Sequence, residues 1–150
     1  MIEGRLANPT HSRPTAGPSP RVLLVDDDAE TLVLLKAALE GEGIQIVGTA
    51  GDGSEVKSLV ERTEPDVVLM DLRMPGMDGF EATRAIKGRY PWLQVIFLTF
   101  YEEMLPDKGP QEVGAFAYLV KGCSTELMRD VIVQAWRHGA EERWERARGL

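Results

Sequence analysis

Short apolar runs alternate with amphipathic stretches along most of the chain. The runs predict five buried strands, which we place at residues 21–26, 44–49, 67–71, 93–99 and 115–120. The stretches between them carry apolar residues at helical spacing, as Leu32, Leu35 and Leu39 do on one stripe. Strands that alternate with helices are typical of an α/β fold, so we predict a doubly wound parallel sheet with helices on both faces.

The helices are bounded by capping and breaking residues. Residues 52–55 and 78–81 both have the spacing of a capping box, and the last helix begins near Ser124 and runs through Trp136 towards Arg146. The segment between the fourth and fifth strands is different, because it contains Pro106 and Pro110. An interior proline costs about 3 kcal/mol in a helix, so we predict that the fourth helix, within residues 102–113, is short or irregular.

The two ends of the chain differ from the middle. Residues 1–20 contain four prolines and no periodic apolar pattern, which predicts a disordered leader, and Ile2–Arg5 looks like a protease site from an expression vector. Residues 21–137 form the predicted domain. Residues 138–150 alternate in charge and predict a helical extension or a linker towards an output domain that is absent from this chain.

Composition limits the classes of function. The net charge is −7, which disfavours nucleic-acid binding by this domain and favours cations or basic partner surfaces. Cys123 is the only cysteine, so a single chain can form neither a disulfide framework nor a cysteine-based zinc site. No apolar run approaches the roughly 20 residues of a membrane helix, and we predict a cytoplasmic protein.

Polar residues stand at the ends of four predicted strands. These residues are Asp26 with Asp27, then Asp71, Thr99 and Lys121. The carboxyl ends of parallel strands share one edge of the sheet, so we expect these side chains to meet. Clustered carboxylates suit Mg²⁺, and a remaining carboxylate can act as a nucleophile towards a phosphoryl group. A lysine and a hydroxyl nearby can hold phosphoryl oxygens.

The motifs that carry these residues resemble the receiver domain of two-component response regulators. They are VLLVDDD, VVLMDLRMPGMDGFE, FLT and AYLVKG, and the resemblance covers about residues 21–137. It is strongest to receivers joined to NarL- or LuxR-type DNA-binding domains. The resemblance implies a CheY-like, flavodoxin-like sheet of strand order 2-1-3-4-5.

The resemblance also implies a role for each site residue. Asp71 would accept a phosphoryl group from a histidine kinase and lose it by slow hydrolysis, and Thr99 and Lys121 would hold that group. The implied ligands of Mg²⁺ are the carboxylates of Asp27 and Asp71 and the backbone carbonyl of Arg73, with Asp26 assisting directly or through water. The implied switch residues are Thr99 and Tyr118. Phe100 departs from the family, which generally has a smaller residue there, and we expect its ring to narrow access to Asp71.

The implied protein is a signalling switch with its own phosphorylation and dephosphorylation chemistry, not a conventional metabolic enzyme. Its implied partners are a histidine kinase, a second copy of the chain and a DNA-binding output domain beyond this sequence. One alternative is a receiver that acts in protein interaction or dimerisation without phosphorylation. Another is an aspartate-nucleophile phosphatase. Residues 26–28 fit its Asp-x-Asp core, but Glu30 stands where a threonine or valine is expected.

Overall fold

The structure is a computed structural model that describes residues 18–72, 79–100 and 114–149. Its strands are β1 (Arg21–Val25), β2 (Gln45–Ala50), β3 (Val67–Asp71), β4 (Gln94–Thr99) and β5 (Ala117–Val120). The helices in the described part are α1 (Ala29–Glu40), α2 (Val56–Thr63), α3 (Gly79–Arg89) and α4 (Thr125–Ala147), and a 3-10 turn, Gly53–Glu55, leads into α2. The predicted irregular helix at 102–113 lies wholly outside the described residues.

All five strands pair in parallel, in the order β2-β1-β3-β4-β5. This confirms the predicted doubly wound α/β fold. The register matters for function, because Val25 of β1 pairs with Met70 of β3. The next residues, Asp26 and Asp71, therefore leave the sheet side by side.

The core has two layers, one on each face of the sheet. Successive strand residues point to opposite faces, so Leu23 and Val25 pack with α2 and α3, while Val22 and Leu24 pack with α1 and α4. Both faces of the inner strands are covered, which explains why these strands are continuous apolar runs in the sequence.

Local side-chain contacts set the helix ends. The Ser124 hydroxyl accepts a hydrogen bond from the Leu127 amide at 3.1 Å and caps α4, as predicted. The Asp52 carboxylate accepts one from the Ser54 amide at 2.8 Å and starts the turn before α2. Glu64 adopts a left-handed conformation, with φ of 48°, and ends α2 ahead of Pro65. Within the described ranges, no helix has both the length and the apolar character needed to cross a bilayer.

Candidate functional site

Three carboxylates meet at the carboxyl edge of the sheet. Asp26 directly follows β1 and is 2% exposed, Asp71 is the last residue of β3, and Asp27 is exposed next to Asp26. Each offers one oxygen, and these oxygens lie within 4.8 Å of one another. Among the described residues, this is the one group of three or more potential metal ligands, and it is the group expected from the strand ends.

Lys121 lies against two of these carboxylates. It directly follows β5, and its amide donates to the Thr99 carbonyl at 2.6 Å, which holds it at the edge of the sheet. Its Nζ donates to Asp26 Oδ2 at 2.7 Å and to Asp71 Oδ2 at 3.4 Å. Desolvation acts to lower the pKa of Lys121, but the hydrogen bonds and charges of Asp26 and Asp71 outweigh it and raise the pKa above its usual value. Lys121 therefore remains a cation inside this site.

Asp28 stands apart from this group. It occupies the N-cap position of α1, and its Oδ2 accepts a hydrogen bond from the Thr31 hydroxyl at 2.6 Å. That bond lowers the pKa of Asp28. The Asp28 amide donates to Asp26 Oδ1 at 2.9 Å, so the start of α1 helps to orient the buried Asp26.

The predicted switch residues lie on neighbouring strands. Thr99 is the last residue of β4 and is 5% exposed. Tyr118 pairs with Phe97 across β4 and β5, and the two rings stack with centroids 5.5 Å apart. The Tyr118 hydroxyl is buried and has no hydrogen-bond partner in the part of the chain that the structure describes. Burial raises the pKa of this phenol, which therefore stays protonated.

Phe100 lies at the edge of the site. Its ring is 63% exposed, and its centroid is 4.6 Å from Lys121 Nζ, which is the geometry of a cation–π contact. The ring also lines a largely apolar cavity of about 230 Å³ together with Leu34, Leu98 and Met128. The role of Phe100 in access to Asp71 stays a prediction. Arg73 lies outside the described residues.

Comparison with known proteins places this arrangement in a family. The family model described as the response regulator receiver domain matches residues 22–133, which span most of the chain and all five strands. The chain belongs to the response regulator receiver family. It thus carries the receiver domain of two-component signalling.

Similar proteins include full-length regulators and isolated receivers. The response regulator GacA of Pseudomonas aeruginosa is 37% identical over 117 residues, which cover 77% of this chain and 55% of that protein. The transcriptional regulatory protein PdtaR of Mycobacterium tuberculosis is 38% identical over 116 residues, which cover 77% and 56%. The chain thus spans about half the length of these relatives. The solved signal receiver domain of NarL from Mycobacterium tuberculosis matches with a TM-score of 0.70 and 28% identity, over 79% of this chain and 96% of that one.

The donor set of this receiver fits a magnesium ion. Asp26, Asp27 and Asp71 offer oxygen atoms only, which hard divalent cations prefer, and Mg²⁺ is commonly held by a few carboxylates with water or phosphate completing the shell. No softer ligand is part of the group. The acid group therefore fits the predicted Mg²⁺, and the ligand role of each aspartate stays a prediction.

Two residues that support the site were missed by sequence reasoning. Gly79 begins α3, and a Cβ added there would lie 2.8 Å from the Asp71 carbonyl oxygen, so only glycine lets α3 approach Asp71 this closely. Phe97 is fully buried beside that Cβ position and also stacks on Tyr118. The sequence shows Gly79 as a turn residue and Phe97 as an ordinary core residue. The available signal was the presence of a glycine in the first turn of a predicted helix, where glycine is not otherwise favoured.

Proposed function

We propose that Asp71 accepts a phosphoryl group from the phosphohistidine of a partner histidine kinase. The observation that carries the proposal is the position of Lys121 Nζ, which lies 2.7 Å from Asp26 and 3.4 Å from Asp71 in a group of three carboxylates. A cation held beside clustered acids supplies the charge balance that a transferred phosphoryl group needs. Membership of the response regulator receiver family also supports this role for Asp71.

The proposed transfer uses Asp71 as the nucleophile. An Asp71 Oδ forms a bond to phosphorus as the P–N bond of the donor breaks, and the electron pair of that bond returns to the imidazole. A Mg²⁺ held by Asp26, Asp27, Asp71 and the Arg73 carbonyl would neutralise part of the charge on the phosphoryl oxygens. Attack of water on phosphorus breaks the P–O bond to Asp71, releases inorganic phosphate and restores the carboxylate, which ends the signal.

Lys121 and Thr99 have distinct roles in the proposal. In this structure Lys121 Nζ donates mainly to Asp26, but it also lies close to Asp71. After phosphorylation Lys121 would bind an oxygen of the new phosphoryl group on Asp71 instead. The Thr99 hydroxyl would bind a second oxygen from the end of β4. Movement of Thr99 would alter the space available to Tyr118, whose hydroxyl has no partner within the described residues. This makes Tyr118 the residue that reports the state of Asp71.

The proposal includes partners beyond the kinase. GacA is a response regulator and PdtaR a transcriptional regulatory protein, and both are about twice as long as the part that matches this chain. We therefore propose that this receiver controls an output domain that acts on transcription in the cytoplasm. Homodimerisation and a closer kinship to NarL- or LuxR-type regulators remain predictions.

Mass spectrometry of the intact protein tests the proposal. The chain is incubated with Mg²⁺ and a small acyl- or amido-phosphate donor, and its mass is compared with those of Asp71→Asn and Asp52→Asn. We expect wild type and Asp52→Asn to gain one phosphoryl group and Asp71→Asn to gain none. Asp52→Asn is the matched control, because asparagine also caps a helix and Asp52 lies outside the acid group.

The alternatives predict different outcomes of the same experiment. Modification that persists in Asp71→Asn and disappears in Asp26→Asn would support the aspartate-nucleophile phosphatase. Absence of any adduct on wild type, with Mg²⁺ bound, would contradict the proposal and support a receiver that works by protein interaction alone.

A further inference from the structure

The second half of α4 extends beyond the part of the chain that matches the family. The match ends at residue 133, whereas α4 continues to Ala147. Gly139 is the last buried residue of α4, which is described throughout its length. The helix beyond Gly139 nevertheless contacts the connection between α3 and β4, at the amino edge of the sheet and opposite to the acid group.

Gly139 forms the closest of these contacts. A Cβ added at Gly139 would lie 2.8 Å from the Trp92 carbonyl oxygen and 3.1 Å from Gln94 Cγ, and Cβ atoms are essentially never found at the shorter distance. The helix thus meets the connection at a notch that only glycine fits. A glycine inside a helix carries an entropic cost, so its presence here indicates a contact that needs it.

Two polar contacts extend the interaction by one turn. Gln94 is 3% exposed, and its Nε2 donates to the Trp92 carbonyl at 2.7 Å and to Glu142 Oε1 at 2.8 Å. The Arg143 guanidinium lies 5.1 Å from the centroid of the Trp92 ring. The connection is itself held from the other side, because Lys87 Nζ donates to the carbonyls that flank Trp92. A fixed receptor for the helix therefore exists at residues 91–94.

We propose that residues 139–147 act as a latch, a helical segment that docks on residues 91–94 and can detach while the sheet stays folded. The contacts of the segment with residues 91–94 are the notch at Gly139, one hydrogen bond and one cation–π contact. Its one large apolar side chain, Trp144, is only half-buried, so we infer that opening of the segment costs less than global unfolding. When docked, it sets the direction in which any following polypeptide leaves the domain. The latch goes beyond the proposed phosphorylation and does not depend on it.

Hydrogen exchange of the full chain tests the latch. Tertiary packing supplies most of the stability of a helix in a protein, so this end of α4 frays once it detaches, and amides 140–147 then exchange. We expect these amides to be protected in wild type and to exchange on the order of tenfold faster in Glu142→Ala, the effect of losing one charge-assisted hydrogen bond. Glu145→Ala is the matched control, one turn on in the same helix and exposed. It is expected to change little.

Two further variants separate the latch from other roles of Glu142. His138 Nε2 lies 3.3 Å from Glu142, and the His138 ring packs on Phe116 with centroids 5.6 Å apart. His138→Gln removes both contacts but leaves the hydrogen bond from Gln94 to Glu142, and it should leave the exchange rates unchanged. Gly139→Ala fills the notch and should speed exchange of residues 140–147 as Glu142→Ala does. Wild-type amides that exchange as fast as a free peptide would overturn the proposal. Equal effects of Glu142→Ala and Glu145→Ala would overturn it too, as would a parallel loss of protection in the strands.

Discussion

Replacement of Gly79 by alanine tests whether the approach of α3 to Asp71 supports the acid site. Gly79 is the first residue of α3, and its amide donates to the Leu72 carbonyl at 3.0 Å. An added Cβ would lie 2.8 Å from the Asp71 carbonyl oxygen and 3.1 Å from both Leu72 Cα and Phe97 Cε1. Phe97 is fully buried, so neither the backbone nor this ring can move aside without disturbing the core.

The expected size of the effect follows from two opposing terms. Alanine is favoured over glycine in a helix by about 0.5–1 kcal/mol, and this gain is smaller at a first helical position. Overpacking of a well-packed core costs about 1–3 kcal/mol. We expect Gly79→Ala to lower the free energy of unfolding by about 1–2 kcal/mol. In the variant, displacement of the Asp71 backbone should also move the Asp71 carboxylate relative to Lys121. In the wild-type structure Lys121 Nζ lies 3.4 Å from Asp71 Oδ2.

Gly88→Ala provides the matched control, because Gly88 lies in the same helix and an added Cβ there meets no atom of the other described segments within 4 Å. Urea unfolding followed by circular dichroism gives both free energies, and mass spectrometry gives the rate of phosphoryl labelling. Gly88→Ala should be unchanged or slightly stabilised, with normal labelling, whereas Gly79→Ala should lose stability and label more slowly. If Gly79→Ala proves as stable as Gly88→Ala and labels as fast, the close approach of α3 does not support the site.

Three further substitutions probe burial and access. Burial raises the pKa of Asp66, so the folded protein binds a proton on this carboxyl more tightly than the unfolded chain does. The free energy of unfolding therefore falls as the pH rises from about 4 through the raised pKa of Asp66. Asp66→Asn should lose this part of the pH dependence and gain less than about 1 kcal/mol at pH 7, as measured by urea unfolding across pH. Tyr118→Phe removes a buried hydroxyl without a partner among the described residues and should raise the free energy of unfolding by about 1 kcal/mol. Phe100→Ala removes the ring beside Lys121 and should speed labelling by small phosphodonors, and equal rates in the two proteins would contradict the access role.

The fold and the acid group were predictable because both depend on local patterns. Apolar runs ending in Asp26, Asp71 and Lys121 predicted strands and their ends, and parallel pairing then brought those ends to one edge. The pairing of Val25 with Met70 fixes the adjacency of Asp26 and Asp71, and an error of one residue in either strand would have turned one carboxylate to the other face.

Contacts between distant segments were not predictable, because no local pattern encodes them. The sequence pattern predicts Gln94 as the polar start of a strand and Glu142 as one charge on an exposed helix. The two residues are 48 positions apart in the sequence, yet Gln94 donates a hydrogen bond to Glu142. The sequence alone shows Gly139 as a residue that destabilises a helix. The structure shows that a Cβ at this position would clash with the Trp92 carbonyl oxygen. The same holds for Gly79 beside Asp71. Both glycines have a low intrinsic helix preference and mark a close tertiary contact, so glycines inside helices of this chain are better treated as signals of packing than as local defects.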